Sequence, residues 1–181
     1  MGADGLGNDP GRKILNRIDV PDDHRNALYA QWLAQRIPHF QPIGVRTMAL
    51  WHGDQIAAVV GFCNPHYNRV EACWACDIPR AVTRGAILTM LGHAFLPPMN
   101  RMAIGATAEK HNKRARKFME GIGFKEEGCL RKVTPEGRNL IIYGLLRDDF
   151  IGLIHRYRGE ETARDFARAC GVNEWRQGRR K

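Results

Sequence analysis

Apolar positions along this chain recur with two different periods, and each period announces an element. Ile14, Leu15, Ile18 and Val20 crowd into residues 13–20 and predict a short first strand. Pro21 and the acidic pair Asp22-Asp23 then stand where a helix N-terminus favours them. Leu28, Trp32 and Leu33 follow at helical spacing until Pro38 ends the helix. Two strand-like runs, 45–51 and 55–62, are separated only by His52-Gly53-Asp54 and read as an antiparallel hairpin. Residues 70–78, rich in Val, Trp and Cys and closed by Pro79, predict another strand.

From Gly85 the period changes. Ile87, Met90, Leu91, Ala94 and Phe95 fall at i, i+3, i+4, i+7 and i+8, one apolar helix face, and Pro97-Pro98 stop it. Residues 101–108 are the next strand. A helix over about 111–122 carries the stripe Ala115, Phe118, Met119 and Ile122, with Gly123 as its C-cap. Two further strands, from Phe124 and from Leu140, are joined by the turn Thr134-Pro135-Glu136-Gly137. After Arg147 the chain turns helical again, with Phe166, Ala167 and Cys170 on one face of a last helix. Alternation through the middle predicts one α/β layered domain with a mixed sheet. Residues 1–12, rich in Gly and Asp, are expected to be disordered. The domain is expected over 13–175 with a C-terminal helical extension, and 176–181 form a basic tail.

Composition narrows the class. The chain has 181 residues, 44% hydrophobic and 26% charged, a globular balance with enough apolar material for a core. No run approaches the roughly 20 apolar residues of a membrane helix. The N-terminus lacks the apolar region of a secretory signal, and Leu6 stands where a myristoylation signal needs Ser or Thr. These features predict a soluble, cytoplasmic protein without a membrane role. The five cysteines are an odd number scattered through apolar segments, which fits reduced thiols. Net charge is +9, with basic residues crowded into 110–117, 131–138 and the terminus. Such a surplus suits nucleic acid, an acidic protein surface or a polyphosphate and does not choose among them.

The passage from Asp77 to Leu88 carries the first candidate chemistry. A strand ends, a short basic loop runs through Arg80, Thr83, Arg84 and Gly85, and a helix starts at once. Helix N-termini offer unpaired N–H groups and partial positive charge to phosphate oxygens, and Gly85 lets backbone approach a ligand. An ordinary strand–turn–helix with solvated arginines has the same sequence. Cys73 and Cys76 have CxxC spacing but sit in a strand without a second pair, and the histidines show no ligand spacing, so no metal is expected.

The second signal is the run from Asn112 to Phe124, with Asn at a helix start, Ala115 three residues on and Gly123-Phe124 at its end. This spacing resembles the helix-and-strand signature of the GNAT N-acetyltransferases. Arg80 and Gly85 then match the first and last positions of that family's pyrophosphate loop, with Thr83 replacing a middle Gly. Glu71–Pro79, Gly123–Arg131 and the run from Ile142 to Asp148 are similar to the branch that acetylates ribosomal-protein N-termini. The likeness covers about 55–150, and 13–50 only by element order.

The resemblance implies a GNAT-like fold, a mixed and mostly antiparallel sheet flanked by helices, and acetyl-CoA as cosubstrate. It implies that backbone groups of Cys76, Asp77 and Ile78 pair with the pantetheine arm. Amides from Arg80 through Thr83, Arg84 and Gly85 to Ala86 should cradle the pyrophosphate. Asn112 should hydrogen-bond the pantetheine or cofactor side, and Lys117 or Arg116 should reach the adenosine phosphates. A set of N–H donors and cations is independently what a polyphosphate needs. Acetyl transfer requires a neutral amine, and Glu71, matching a Glu of the same branch, is the candidate base, with Asp77 next in line. Many members have a Tyr where this chain has Met119, which cannot protonate a leaving thiolate; another group, Tyr143 among the candidates, or water then supplies the proton, or the thiolate leaves unassisted. The acceptor is expected to be an amine, whether a protein N-terminus, a lysine or a small molecule. The competing readings are a catalytically silent GNAT-like binding or assembly protein and, less favoured, a nucleic-acid binder using the basic tail.

Overall fold

The computed structural model describes residues 15–172; the expectations for an N-terminal disordered segment and a basic tail fall outside them. The elements run β1 (Asn16–Asp19), α1 (Asp23–Ala34), β2 (Arg46–His52), β3 (Gln55–His66), β4 (Arg69–Cys76) and a short 3-10 turn (Pro79–Ala81). They continue as α2 (Arg84–Gly92), β5 (Ala103–Glu109), α3 (Lys113–Gly121), β6 (Lys125–Leu130), β7 (Leu140–Leu146), α4 (Arg147–Arg158) and α5 (Glu160–Ala169). Each helix among α1, α2 and α3 begins at a side-chain cap: Asp22, Thr83 and Asn112 accept from the amides of Arg25, Ala86 and Ala115. Among the described residues no helix is long and apolar enough to cross a membrane.

The strands form one seven-stranded sheet in the order β1-β2-β3-β4-β5-β7-β6. Every neighbouring pair is antiparallel except β4 and β5, which run parallel with α2 as the crossover between them. The expected mixed, mostly antiparallel sheet is therefore present. Side-chain alternation divides it into two faces. Met48, Val60, Val70, Ile104, Tyr143 and Leu145 join the faces of α2 and α4 (Ile87, Met90, Leu91, Phe150, Ile151) in the main core. On the other face Ala49 and Val59 pack against Tyr29 and Leu33 of α1 in a smaller cluster.

Several boundaries depart from expectation. In α1 the buried positions are Tyr29, Ala30 and Leu33, while Leu28 is half exposed, because the helix turns Tyr29 rather than Leu28 onto the sheet. Leu15, counted as apolar strand material, is 73% exposed beside the edge strand β1. Strand β3 runs four residues beyond the expected end. Strand β4 stops at Cys76, because the amides of Asp77 and Ile78 both turn to the Ala57 carbonyl, at 2.9 and 3.1 Å. At Gly61 only a glycine fits: a Cβ there would meet Cys73 Sγ, Leu33 Cδ1 and Val45 Cγ2 at 2.8–2.9 Å, so the bare backbone lets α1 sit down on β3.

Candidate active site

The parallel ladder between β4 and β5 is short. It pairs Arg69, Val70 and Glu71 with Ala103, Ile104 and Gly105 and then ceases, although β4 continues to Cys76 and β5 to Glu109. From Glu71 onward the edge of β4 that faces β5 has no strand partner, and the sheet opens in its middle. The opening leads to the 3-10 turn and the N-terminus of α2.

On the α2 face a groove of about 330 Å³ lies between α2, α3 and α4. Val82, Ile87, Phe118, Ile122 and Leu153 make it apolar, and Arg84 and Lys117 charge its walls. Helix α4 supplies two residues that the sequence pattern gave no reason to single out. Tyr157 lies under the Arg84 guanidinium at 4.2 Å. Arg158 extends over Gly85, where a Cβ would stand 2.5 Å from its Nη2. Spacing within 147–158 could not have revealed them, because their role comes from how α4 packs beside α2.

The expected cofactor residues fare unequally. Arg80 and Arg84 are exposed at the loop, and Lys117 lines the groove. None of these three, nor Arg158, has an acid partner among the described residues. The helix N-terminus adds the amides of Arg84 and Gly85, which an α-helix leaves without intrahelical partners. Cations and amide donors gathered without a counter-charge among the described residues fit a polyanion.

The cradle is narrower than expected, however. The amides of Ala81, Val82 and Thr83 are used within the turn, and Thr83 Oγ1 takes that of Ala86 at 3.1 Å. Asp77 and Ile78 have no amide to offer a pantetheine arm, since Ala57 holds both. The Asp77 carboxylate is gripped by Arg36, at 2.7 Å from its Nη2, and Arg36 holds it below the ordinary carboxylate range. Cys76 ends β4 as a half-buried thiol pushed up by burial. Asn112 spends its side-chain oxygen on capping α3, leaving its amide NH₂ for any ligand. Arg116 is turned away from the groove: its Nε donates to Tyr143 Oη at 3.0 Å and its Nη2 faces Glu126. Tyr143 is fully buried, with its hydroxyl donating to Glu120 at 3.2 Å, and Met119 lies in the core.

Glu71 is on the opposite face, the α1 side, together with Cys73 and Ala75. It is the last β4 residue paired with β5, so it stands at the vertex of the opening. Arg69 Nε donates to Glu71 Oε1 at 3.0 Å. Beside it Cys63 donates to the Glu71 carbonyl and Cys73 to that of Gly61. The Cys73 thiol is pushed far up by its hydrogen bond with Cys63 and by burial, so it is a protonated packing group. All five cysteines are free.

No family model matches the chain, and no curated protein matches it in sequence. Solved structures do. The ribosomal-protein-S18-alanine N-acetyltransferase of Escherichia coli is similar with a TM-score of 0.54 and 20% identity, over 73% of this chain and 94% of that one. The spermidine/spermine N-acetyltransferase SpeG of Vibrio cholerae gives 0.57 and 13%, over 76% and 96%. A protein of Desulfovibrio desulfuricans assigned to the acetyltransferases of the GNAT family gives 0.54 and 18%, over 74% and 99%. With its β4–β5 opening beside a basic helix N-terminus, the chain has the fold of the GNAT acetyltransferases.

Proposed function

We propose that this chain transfers the acetyl group of acetyl-CoA to an amine. One observation carries the reading: the sheet opens between β4 and β5 beside cations that have no acid partner among the described residues, with a carboxylate, Glu71, at the vertex. Arg84, Arg158, Arg80 and Lys117, with the first amides of α2, would hold the phosphates. The apolar groove walls and Tyr157 would take the adenosine end, and the free edge of β4 up to Cys76 the pantetheine arm.

Acetyl-CoA supplies an acyl thioester activated for attack by a nucleophile. The chain's part is to deliver a neutral amine to it. An alkyl ammonium of Lys type has a pKa of about 10.4 in water, so at neutral pH a proton must leave before attack. Glu71, on the face opposite the phosphate groove, takes that proton directly or through one water. Approach from two faces keeps donor and acceptor apart until they meet at the gap. The CoA sulfur leaves as a thiolate, and no side chain is assigned to protonate it, since Met119 has no proton to give and the Tyr143 hydroxyl is engaged. Proteins of this fold named for ribosomal alanine and for spermidine support a primary amine as acceptor, on a protein or a small molecule.

The test is mass spectrometry of acetyl-CoA reactions with pooled N-terminal peptides, lysine peptides and polyamines, beside calorimetry with CoA. Acetylated product is expected, and Glu71→Gln should lower turnover by about 10²–10⁴-fold while leaving CoA affinity intact. CoA binding without any acetylated amine would instead support a silent binding protein, the alternative that Met119 and the altered loop keep open. No CoA binding would sink both.

A further inference from the structure

We propose that Arg69 is the positioning residue for Glu71, a reading that rests on Glu71 as the proton acceptor. The guanidinium engages three other groups at once. Its Nε donates to Glu71 Oε1 at 3.0 Å, its Nη1 to Glu127 Oε2 at 2.8 Å and its Nη2 to the Tyr143 carbonyl at 3.1 Å. These acceptors belong to β4, β6 and β7, so one rigid fork ties three strands together across the vertex of the opening.

Two further features show that the sheet is shaped around this fork. Gly105 and Gly144 are direct partners in the β5–β7 register, and Gly105 is also the partner of Glu71. A side chain at Gly105 would run into Glu71 and Arg69, and one at Gly144 into Glu127. Glycine weakens a strand interior, so a buried pair side by side marks a place where something must lie close on the backbone. Here it is the Arg69 cluster. The second feature is the bulge in β6 between Glu126 and Gly128, which leaves Glu127 outside the ladder. Bulges re-aim a side chain, and this one delivers Glu127 to the far arm of Arg69.

The consequence falls on the reaction. A half-exposed carboxylate left to itself samples several rotamers, and only some of them face the gap. Arg69 fixes one oxygen of Glu71 and leaves the other to the acceptor amine, while Glu127 and the Tyr143 carbonyl stop the guanidinium from following. Misplacing a reacting group by about 1 Å can cost on the order of 10²-fold in rate.

The experiment compares wild type, Arg69→Met, Arg69→Lys, Glu71→Gln and the Arg69→Met/Glu71→Gln double variant, reading kcat, KM for both substrates, CoA affinity by calorimetry and thermal melting. Arg69→Met should lower kcat by about 10- to 100-fold with CoA affinity unchanged, and Arg69→Lys should restore part of it. In the Glu71→Gln background, Arg69→Met should cost no further kcat while still lowering the melting temperature. Losses in kcat that multiply in the double variant, an unchanged kcat in Arg69→Met, or a fall in CoA affinity matching the fall in kcat would each overturn the proposal. Full turnover by Glu71→Gln alone would overturn the base assignment, and this inference with it.

Discussion

Replacing Arg158 with Gln tests whether α4 belongs to the phosphate site. The change keeps most of the side-chain length and removes the charge that lies over Gly85. A charge-assisted hydrogen bond to a phosphate is worth about 1.5–3 kcal/mol when shielded from solvent. Arg158 is exposed, so solvent screening lowers the expectation to about 1–2 kcal/mol. That corresponds to roughly 5- to 30-fold in Kd. Calorimetry with CoA at low salt should show this loss, and the difference should shrink at about 1 M salt as the Debye length falls. Pantetheine, which lacks the phosphates, should bind wild type and variant alike. Gly85→Ala should give a smaller loss in the same direction, because its methyl displaces only the mobile end of Arg158. Undiminished CoA affinity in Arg158→Gln at low salt would refute the reasoning. So would an equal loss for pantetheine, since that would make Arg158 a packing residue.

Other consequences concern stability. Gly61→Ala should cost about 1–3 kcal/mol in denaturant unfolding, because its methyl meets Cys73, Leu33 and Val45 at once; a neutral result would mean α1 can lift freely. Leu33→Ala, at a fully buried position, should cost about 2–5 kcal/mol in the same assay, and a loss under 1 kcal/mol would show that α1 adds little. His93 is half-buried and burial lowers its pKa below the ordinary 6.5, so the unfolded chain binds the proton more readily. Wild type should lose stability relative to His93→Gln as pH falls through 6.5 and below, and parallel pH profiles would refute this. Asp77→Asn should cost under about 1 kcal/mol at pH 7, since the Arg36 pair is half exposed. Because Arg36 depresses the Asp77 pKa, that cost should fade as pH drops below the ordinary value of 3.8, and a cost that persists there would be steric.

What the sequence determined by itself was local. Ile87, Met90 and Leu91 are buried on α2 as their period requires, because an α-helix brings those positions onto one side whatever surrounds them, whereas the helix ends at Gly92, short of the expected Pro97, and Ala94 and Phe95 are buried from the turns that follow it. The hairpin around Gly53 and the caps Asp22, Thr83 and Asn112 are likewise decided within a few residues. Motif spacing also found the loop at Arg80–Gly85, since loop and helix start are contiguous in the chain. Tertiary structure decided everything that depends on register and on distant partners. It ended the β4–β5 ladder at Glu71 and gave the amides of Asp77 and Ile78 to Ala57. It turned Arg116 to Tyr143, brought Arg158 of α4 over Gly85, and set Arg69 on the paired glycines of β5 and β7. The reason is physical: alternation specifies which face a strand residue takes, but not which strand lies beside it or where their pairing stops. Those are fixed only when the whole sheet closes its hydrogen bonds and buries both faces at once.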